Sequence, residues 1–320
     1  MNKFLLASTA LVLSAGFAAA EVTVGGDGRM GVVYDDSNDD NEFTFNSRIR
    51  ISFTATGETD GGLQFGGSIR ADNAPPATVN ATITDDNGLS PGDAGFDPNT
   101  VQVNNANSGG GVNGLAGSVF VSGAFGKLTM GDIDTAAKSA VGNVDGVGYT
   151  GIGDFNEVGH IGGGDDEGAL YEYSFGAATF YASLGQIDGA QTGTGDTDER
   201  SIGLKYDAGT FYVAVGYVDV EDTGDQIAAG AGTSFAGFDL AAVYVTDDGS
   251  DNEAYAISAG GTFAGAGVTA FYRDGDDGKG QAYGIGASYD LGGGAALKGG
   301  IAHSDGLDQT KADFGVTLSF

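Results

Sequence analysis

The chain has 320 residues with 44 acidic against 13 basic side chains, a formal net charge of −31. Such acidity argues against nucleic acid as a partner, because phosphate contacts need Lys and Arg clustered over a broad surface. The absence of cysteine excludes disulfides, Cys-ligated zinc and thiol nucleophiles, while a hydrophobic content of 41% is enough for a folded protein despite the charge.

From the start of the chain, Met1, Asn2 and Lys3 form a short basic head. Residues 4–17 are an apolar run, and Ala18, Ala19 and Ala20 form a small-residue cleavage site. This reads as a secretory signal peptide cut after Ala20, leaving residues 21–320 as one domain. The run is shorter than the ~20 apolar residues of a spanning helix.

After Ala20 the pattern is strand after strand. Residues 22–34 place Val22, Val24, Met30 and Val32 on one face and Arg29 on the other. Residues 43–54 alternate apolar Phe43, Phe45, Ile49, Ile51 and Phe53 with polar Thr44, Asn46, Arg48, Arg50, Ser52 and Thr54. Period two means a strand with one face in an apolar medium and the other against polar groups. Residues 63–71 put Arg70 opposite Leu63, Phe65 and Ile69. Antiparallel pairing of these strands gathers Arg29, Arg48, Arg50 and Arg70 into one basic patch in an otherwise acidic protein.

Strands of about ten residues continue to the C-terminus, joined by connections that alternate in length. Tight, Gly-marked turns fall at 57–61, 123–126, 176–177, 208–209, 236–237, 264–267 and 291–294. Long polar loops fall at 35–42, 73–115, 133–168, 186–199, 219–226, 247–252, 274–279 and 304–309. Seven turns and eight loops separate sixteen strands. An even number of such strands describes an all-β fold, a sixteen-stranded antiparallel transmembrane β-barrel. Closure removes the exposed edges that open sheets carry. Tyr34, Tyr171, Tyr173, Tyr206, Tyr217, Tyr244, Tyr255, Tyr272, Tyr283 and Tyr289 fall near strand ends, as aromatic girdles do.

Several motifs carry less. Gly26, Gly28 and Gly31 match a dinucleotide-binding spacing, but they lie within a strand and Asp27 would repel a pyrophosphate. His160 and His303 are far apart, and no spacing makes either a catalytic base. The Asp- and Asn-rich segments 35–42, 196–199 and 247–253 offer the oxygen ligands Ca²⁺ takes, without EF-hand order. They suit loose Ca²⁺ binding at the outer face; the metal site stays unknown, and no cofactor is required.

The stretches 21–31, 46–50, 121–128 and 289–294, with the terminal Phe320, resemble the Gram-negative general-diffusion porins, notably their alphaproteobacterial branch. The resemblance implies a homotrimer in the cell outer membrane, set among its lipid and lipopolysaccharide, that passes small polar solutes. It implies that Phe320 is a signal to the barrel-assembly machinery. It also implies that the third long loop, 133–168, folds inward as a constriction loop. That loop would set Asp134, Asp145, Asp154, Glu157, Asp165, Asp166 and Glu167 opposite the four arginines. The enterobacterial Pro-Glu-Phe turn is absent from it. Together these features point to a water-filled, weakly cation-selective channel for passive diffusion, not an enzyme. The composition also admits a secreted Gly/Asp-rich calcium-binding β protein or adhesin, but the nonapeptide Gly-Gly-x-Gly-x-Asp repeat is missing. A barrel enzyme built on one of the histidines is the third reading.

Overall fold

The computed structural model of the chain describes residues 21–37, 42–73, 81–84, 102–105, 112–163, 167–185, 198–221, 223–249 and 252–320. In chain order the strands are β1 (Glu21–Asp35), β2 (Phe43–Glu58), β3 (Gln64–Asn73), β4 (Ala81–Thr84), β5 (Gln102–Asn105) and β6 (Val112–Gly123). Then come β7 (Gly126–Asp132), β8 (Glu167–Phe175), β9 (Ala178–Leu184), β10 (Glu199–Asp207), β11 (Phe211–Val220) and β12 (Gly224–Phe235). The last six are β13 (Phe238–Asp247), β14 (Glu253–Phe263), β15 (Ala266–Gly275), β16 (Ala282–Gly292), β17 (Ala295–Ser304) and β18 (Gln309–Ser319). Among the described residues, the sixteen strands β1–β3 and β6–β18 form one closed antiparallel barrel, and β1 pairs with β18 to complete it. β4 and β5 pair antiparallel within a separate unit, Ala71–Leu115.

Alternation in sequence becomes inside and outside in space. Phe45 is 95% exposed, and Val22, Val24, Met30 and Val32 of β1 all face outward. In β11, Phe211, Val213, Val215 and Tyr217 are exposed while Ala214 and Val218 are buried. An outer face of Val, Ile, Leu and Phe around the whole ring suits an apolar surrounding medium. The aromatics collect at the two rims, with Tyr34 against Phe43 at one end and Phe238 against Phe263 at the other.

Six of the seven tight turns fall where alternation places them, and the first lies at 59–63 instead of 57–61. Three long connections are shorter than expected. β11 runs to Val220 and β12 starts at Gly224, with Asp219 paired to Asp225, so the 219–226 loop shrinks to a short turn. The connection after Ser304 narrows to 305–308, and that after Asp247 loses a single residue. Ladder bonds are made by the backbone, so acidic side chains at a wet rim continue a strand. Most of the 186–199 loop lies outside the described residues, as do residues 1–20.

The barrel closes on its last residue. The N–H of Gly26 donates to the Phe320 carbonyl at 2.7 Å, and the N–H of Phe320 donates to the Gly26 carbonyl at 3.0 Å. The Phe320 ring lies close to Gly26, where a Cβ would stand 2.7 Å from it. Deleting Phe320 removes both seam bonds and the ring. A lower yield of folded, heat-modifiable barrel is expected on unboiled gels. Equal assembly by the deletion variant would show that the residue is dispensable.

Candidate functional site

Residues 133–163, which follow β7, lie inside the barrel. They hold a short helix, α1 (Ala136–Val141), and a 3-10 turn over Ile152–Asp154. A six-residue helix is too short to show a helical period in sequence. Thr135 caps it, accepting from the Lys138 N–H at 3.1 Å. The N–H groups of Ala136 and Ala137 instead donate to the hydroxyls of Ser183 and Ser201 on the barrel wall, each at 2.8 Å. These bonds satisfy donors that a helix start leaves open.

The outgoing arm then follows the wall. Asp145 donates its N–H to the Ser258 hydroxyl at 3.3 Å. At the tip, the Asp313 carboxylate accepts from the N–H of Tyr149 at 3.1 Å, the N–H of Thr150 at 2.7 Å and the Thr150 hydroxyl at 2.6 Å. From the neighbouring β1, the Arg29 guanidinium donates to the carbonyls of Tyr149 (3.4 Å) and Thr150 (3.2 Å). The return arm is tied back: Asn156 donates to the Val144 carbonyl at 2.6 Å, and Gln226 of β12 donates to the Gly159 carbonyl at 2.8 Å.

The apolar core of the barrel unit sits between this loop and the wall. Val141, Val144 and Val158 pack on Ala214, Ala228, Val243 and Ala256; Val147, Ile152 and Phe155 pack on Phe271, Ala282 and Ala302. Close approach depends on glycine. A Cβ on Gly216 would stand 2.5 Å from the Ala137 Cα, and one on Gly315 would stand 3.0 Å from the Tyr149 ring.

Arg29, Arg48 and Arg50 come together on β1 and β2. Arg29 lies directly opposite Arg48 in the β1–β2 ladder, and Asp27 opposite Arg50. Arg48 makes an ion pair with Asp27 at 2.5 Å. Asp27 is a member of this cluster that the sequence reading missed, although it shares the luminal parity of Arg29. Arg50 and Arg70 both have interaction partners, and Arg70 is exposed.

The loop acids are dispersed. Asp134 pairs with Lys138 at 2.7 Å across one helical turn. Asp145 and Asp154 are exposed, and Glu157 is half-buried. Burial raises the Glu157 carboxyl pKa, and Asp154 beside it pushes the same way against Lys279 and Lys138. Glu167 opens β8 opposite Asp132, so it belongs to the wall and not to the loop. Asp165 and Asp166 lie outside the described residues.

Each histidine is held by groups of its own loop or rim. His160 bonds the Gly142 carbonyl at 3.0 Å inside the loop. His303 sits between the Thr310 hydroxyl and Asp305, each at 3.0 Å. The Thr310 N–H is taken up by Asp36 at 2.7 Å, so it is not available as an oxyanion donor beside that hydroxyl. Among the described residues, no group of three or more His, Asp and Glu could hold a metal.

A family model described as Gram-negative porin matches residues 7–309. The porin of Rhodobacter capsulatus is 32% identical over 190 residues, 57% of this chain and 50% of that one, so the match spans half the length of this curated relative. A porin structure refined at 1.8 Å is 29% identical, with a TM-score of 0.70 over 94% of this chain and 100% of that one. A variant of the Rhodopseudomonas blastica porin, 22% identical, has the same fold with a TM-score of 0.71 over 93% of this chain and 100% of that one.

Two expectations follow from the loop's anchors. Asp313→Ala strands the tip donors of Tyr149 and Thr150 and should weaken docking by on the order of 3 kcal/mol. The readouts are added open-channel noise and faster proteolysis within 145–155, with Asp313→Asn intermediate; a quiet, protease-resistant Asp313→Ala channel would rule the anchor out. Burial lowers the His160 imidazole pKa. Its neutral form therefore holds the loop fully above the unfolded value of about 6.5, and that contribution fades as pH falls below it. Acid-induced noise should appear below about pH 6.5 and be reduced in His160→Gln.

Proposed function

The chain belongs to the Gram-negative porin family, and on that premise we propose that it is an outer-membrane channel for passive diffusion of small polar solutes and ions. It works as a homotrimer after removal of residues 1–20 and weakly favours cations. It carries out no chemistry of its own.

The observation that carries this reading is the loop fastened inside a closed barrel, with its tip bonded to Arg29. A sixteen-stranded ring is too wide for wall side chains alone to fill, so the loop narrows the passage. Arg29, Arg48, Arg50 and Arg70 supply positive charge on one wall. Asp145, Asp154 and Glu157 supply negative charge from the loop. Across a narrow aqueous gap such walls orient polar solutes and hold back apolar ones. The net charge of −31 concentrates cations at the mouths. The four arginines oppose this locally, which makes the preference modest.

Neutralising Arg48 and Arg50 together releases the Asp27 carboxylate into the lumen and removes bulk from the wall. Higher single-channel conductance and a larger cation preference are expected from bilayer recordings with reversal potentials in a salt gradient. The difference should shrink as the Debye length falls from about 10 Å at 0.1 M salt to about 3 Å at 1 M. A double variant that assembles yet conducts and selects like the parent would remove these arginines from the constriction.

A further inference from the structure

The connection between β15 and β16 folds inward over the loop tip, and its fastening is unusual. Arg273, at the luminal end of β15, is 0% exposed. It pairs with Asp277 at 2.7 Å and donates to the Gly280 carbonyl at 3.3 Å. The other Asp277 oxygen accepts from the Lys279 N–H at 3.2 Å. The buried Ser304 hydroxyl donates to the Lys279 carbonyl at 2.7 Å, and the Gly306 N–H donates to the same carbonyl at 3.1 Å. Every backbone polar group of Lys279 is thus held, and its side chain is aimed at the loop. The Lys279 ammonium donates to the Asp154 carbonyl at 2.9 Å.

That contact places a cation beside the loop's acids without cancelling it. The partner is a backbone carbonyl, and among the described residues Lys279 makes no ion pair. Its charge nevertheless reaches the Glu157 carboxyl. The contrast is Lys311, which faces the tip from β18, 5.7 Å from the centre of the Phe155 ring, and already pairs with Asp35 at 3.5 Å. A buried Arg–Asp pair is costly to assemble and strongly disfavoured when broken, so it suits a mount whose position must not drift.

We infer that Lys279 is a charge-selectivity residue of this channel and that Arg273, acting through Asp277, is its positioning residue. The inference rests on the channel reading above. Lys279 weakens the negative potential of Asp154 and Glu157 and so limits the preference for cations where the passage is narrowed.

The test is the reversal potential of the full-length oligomer in a potassium chloride gradient. Lys279→Gln removes the charge and retains an N–H donor on the side chain. Its cation-to-anion permeability ratio should rise about twofold near 0.1 M salt and converge on the parent's near 1 M, as screening requires. Lys279→Arg should keep the parent ratio. Arg200→Gln removes the same formal charge at an exposed site paired to Asp198 and should shift the ratio little. An unchanged ratio in Lys279→Gln, or an equal shift in Arg200→Gln, overturns the inference. A parent that forms no channel at all would instead overturn the channel reading. For the mount, Asp277→Asn and Arg273→Lys should raise the ratio in the same direction as Lys279→Gln. Parent-like selectivity in both, or failure of both to assemble, would overturn the positioning role.

Discussion

Closure of the strand ring is the constraint on which the rest of this structure depends. A strand edge facing an apolar medium would leave unpaired N–H and C=O groups, each costing several kcal/mol. The chain avoids that by bonding β1 to β18 and the last residue to Gly26. Once the ring is closed, every strand has one outward and one inward face, and the apolar residues go outward. The usual relation of core to surface is inverted, with large side chains exposed and Ala, Gly and Ser lining the inner wall. The buried core then has to come from a segment that is not part of the wall, which is the role of residues 133–163.

That arrangement accounts for part of the glycine content, 60 of 320 residues. Three directly opposed glycine pairs lie under the loop: Gly203 with Gly216, Gly286 with Gly300, and Gly31 with Gly315. α1 rests on the first, Val147 and Gly148 on the second, and the Tyr149 ring on the third. Each pair spares two side chains at a point where loop and wall meet. Interior glycine weakens a strand, and here the backbone contact it permits offsets that weakness.

The strands, their facing and the tight turns were legible because alternation and turn chemistry are local. The facing of Arg29 and Arg48 was legible for the same reason. What alternation does not give is the partner. Asp27 shares the face of Arg29, but its ion pair with Arg48 needs the β1–β2 register. Asp313 stands on the inner face of the last strand, where the sequence shows only one more alternating polar residue. Its function exists only because the loop tip arrives there from more than 160 positions away. Arg273 and Lys279 were invisible for a related reason, since an isolated Arg and a loop Lys signal nothing until the loop beneath them is placed. Paired glycines have no one-dimensional signature, because each pair spans a hairpin or the seam.

The loop is fastened chiefly by charges bonded to neutral backbone groups. Arg29 donates to two carbonyls, Asp313 accepts from two N–H groups, and Lys279 donates to one carbonyl. Charge-assisted bonds of this kind are stronger than neutral ones, so few are needed. They also differ from ion pairs in how much charge they leave uncompensated. The Arg48–Asp27 pair cancels most of its own field at a distance, whereas the Arg29 guanidinium bonded to carbonyls keeps its positive charge uncompensated by that bond. Fastening the loop by salt bridges alone would leave less uncompensated charge inside the barrel. With backbone groups as partners, the positions of the charges are fixed by the same bonds that fix the loop.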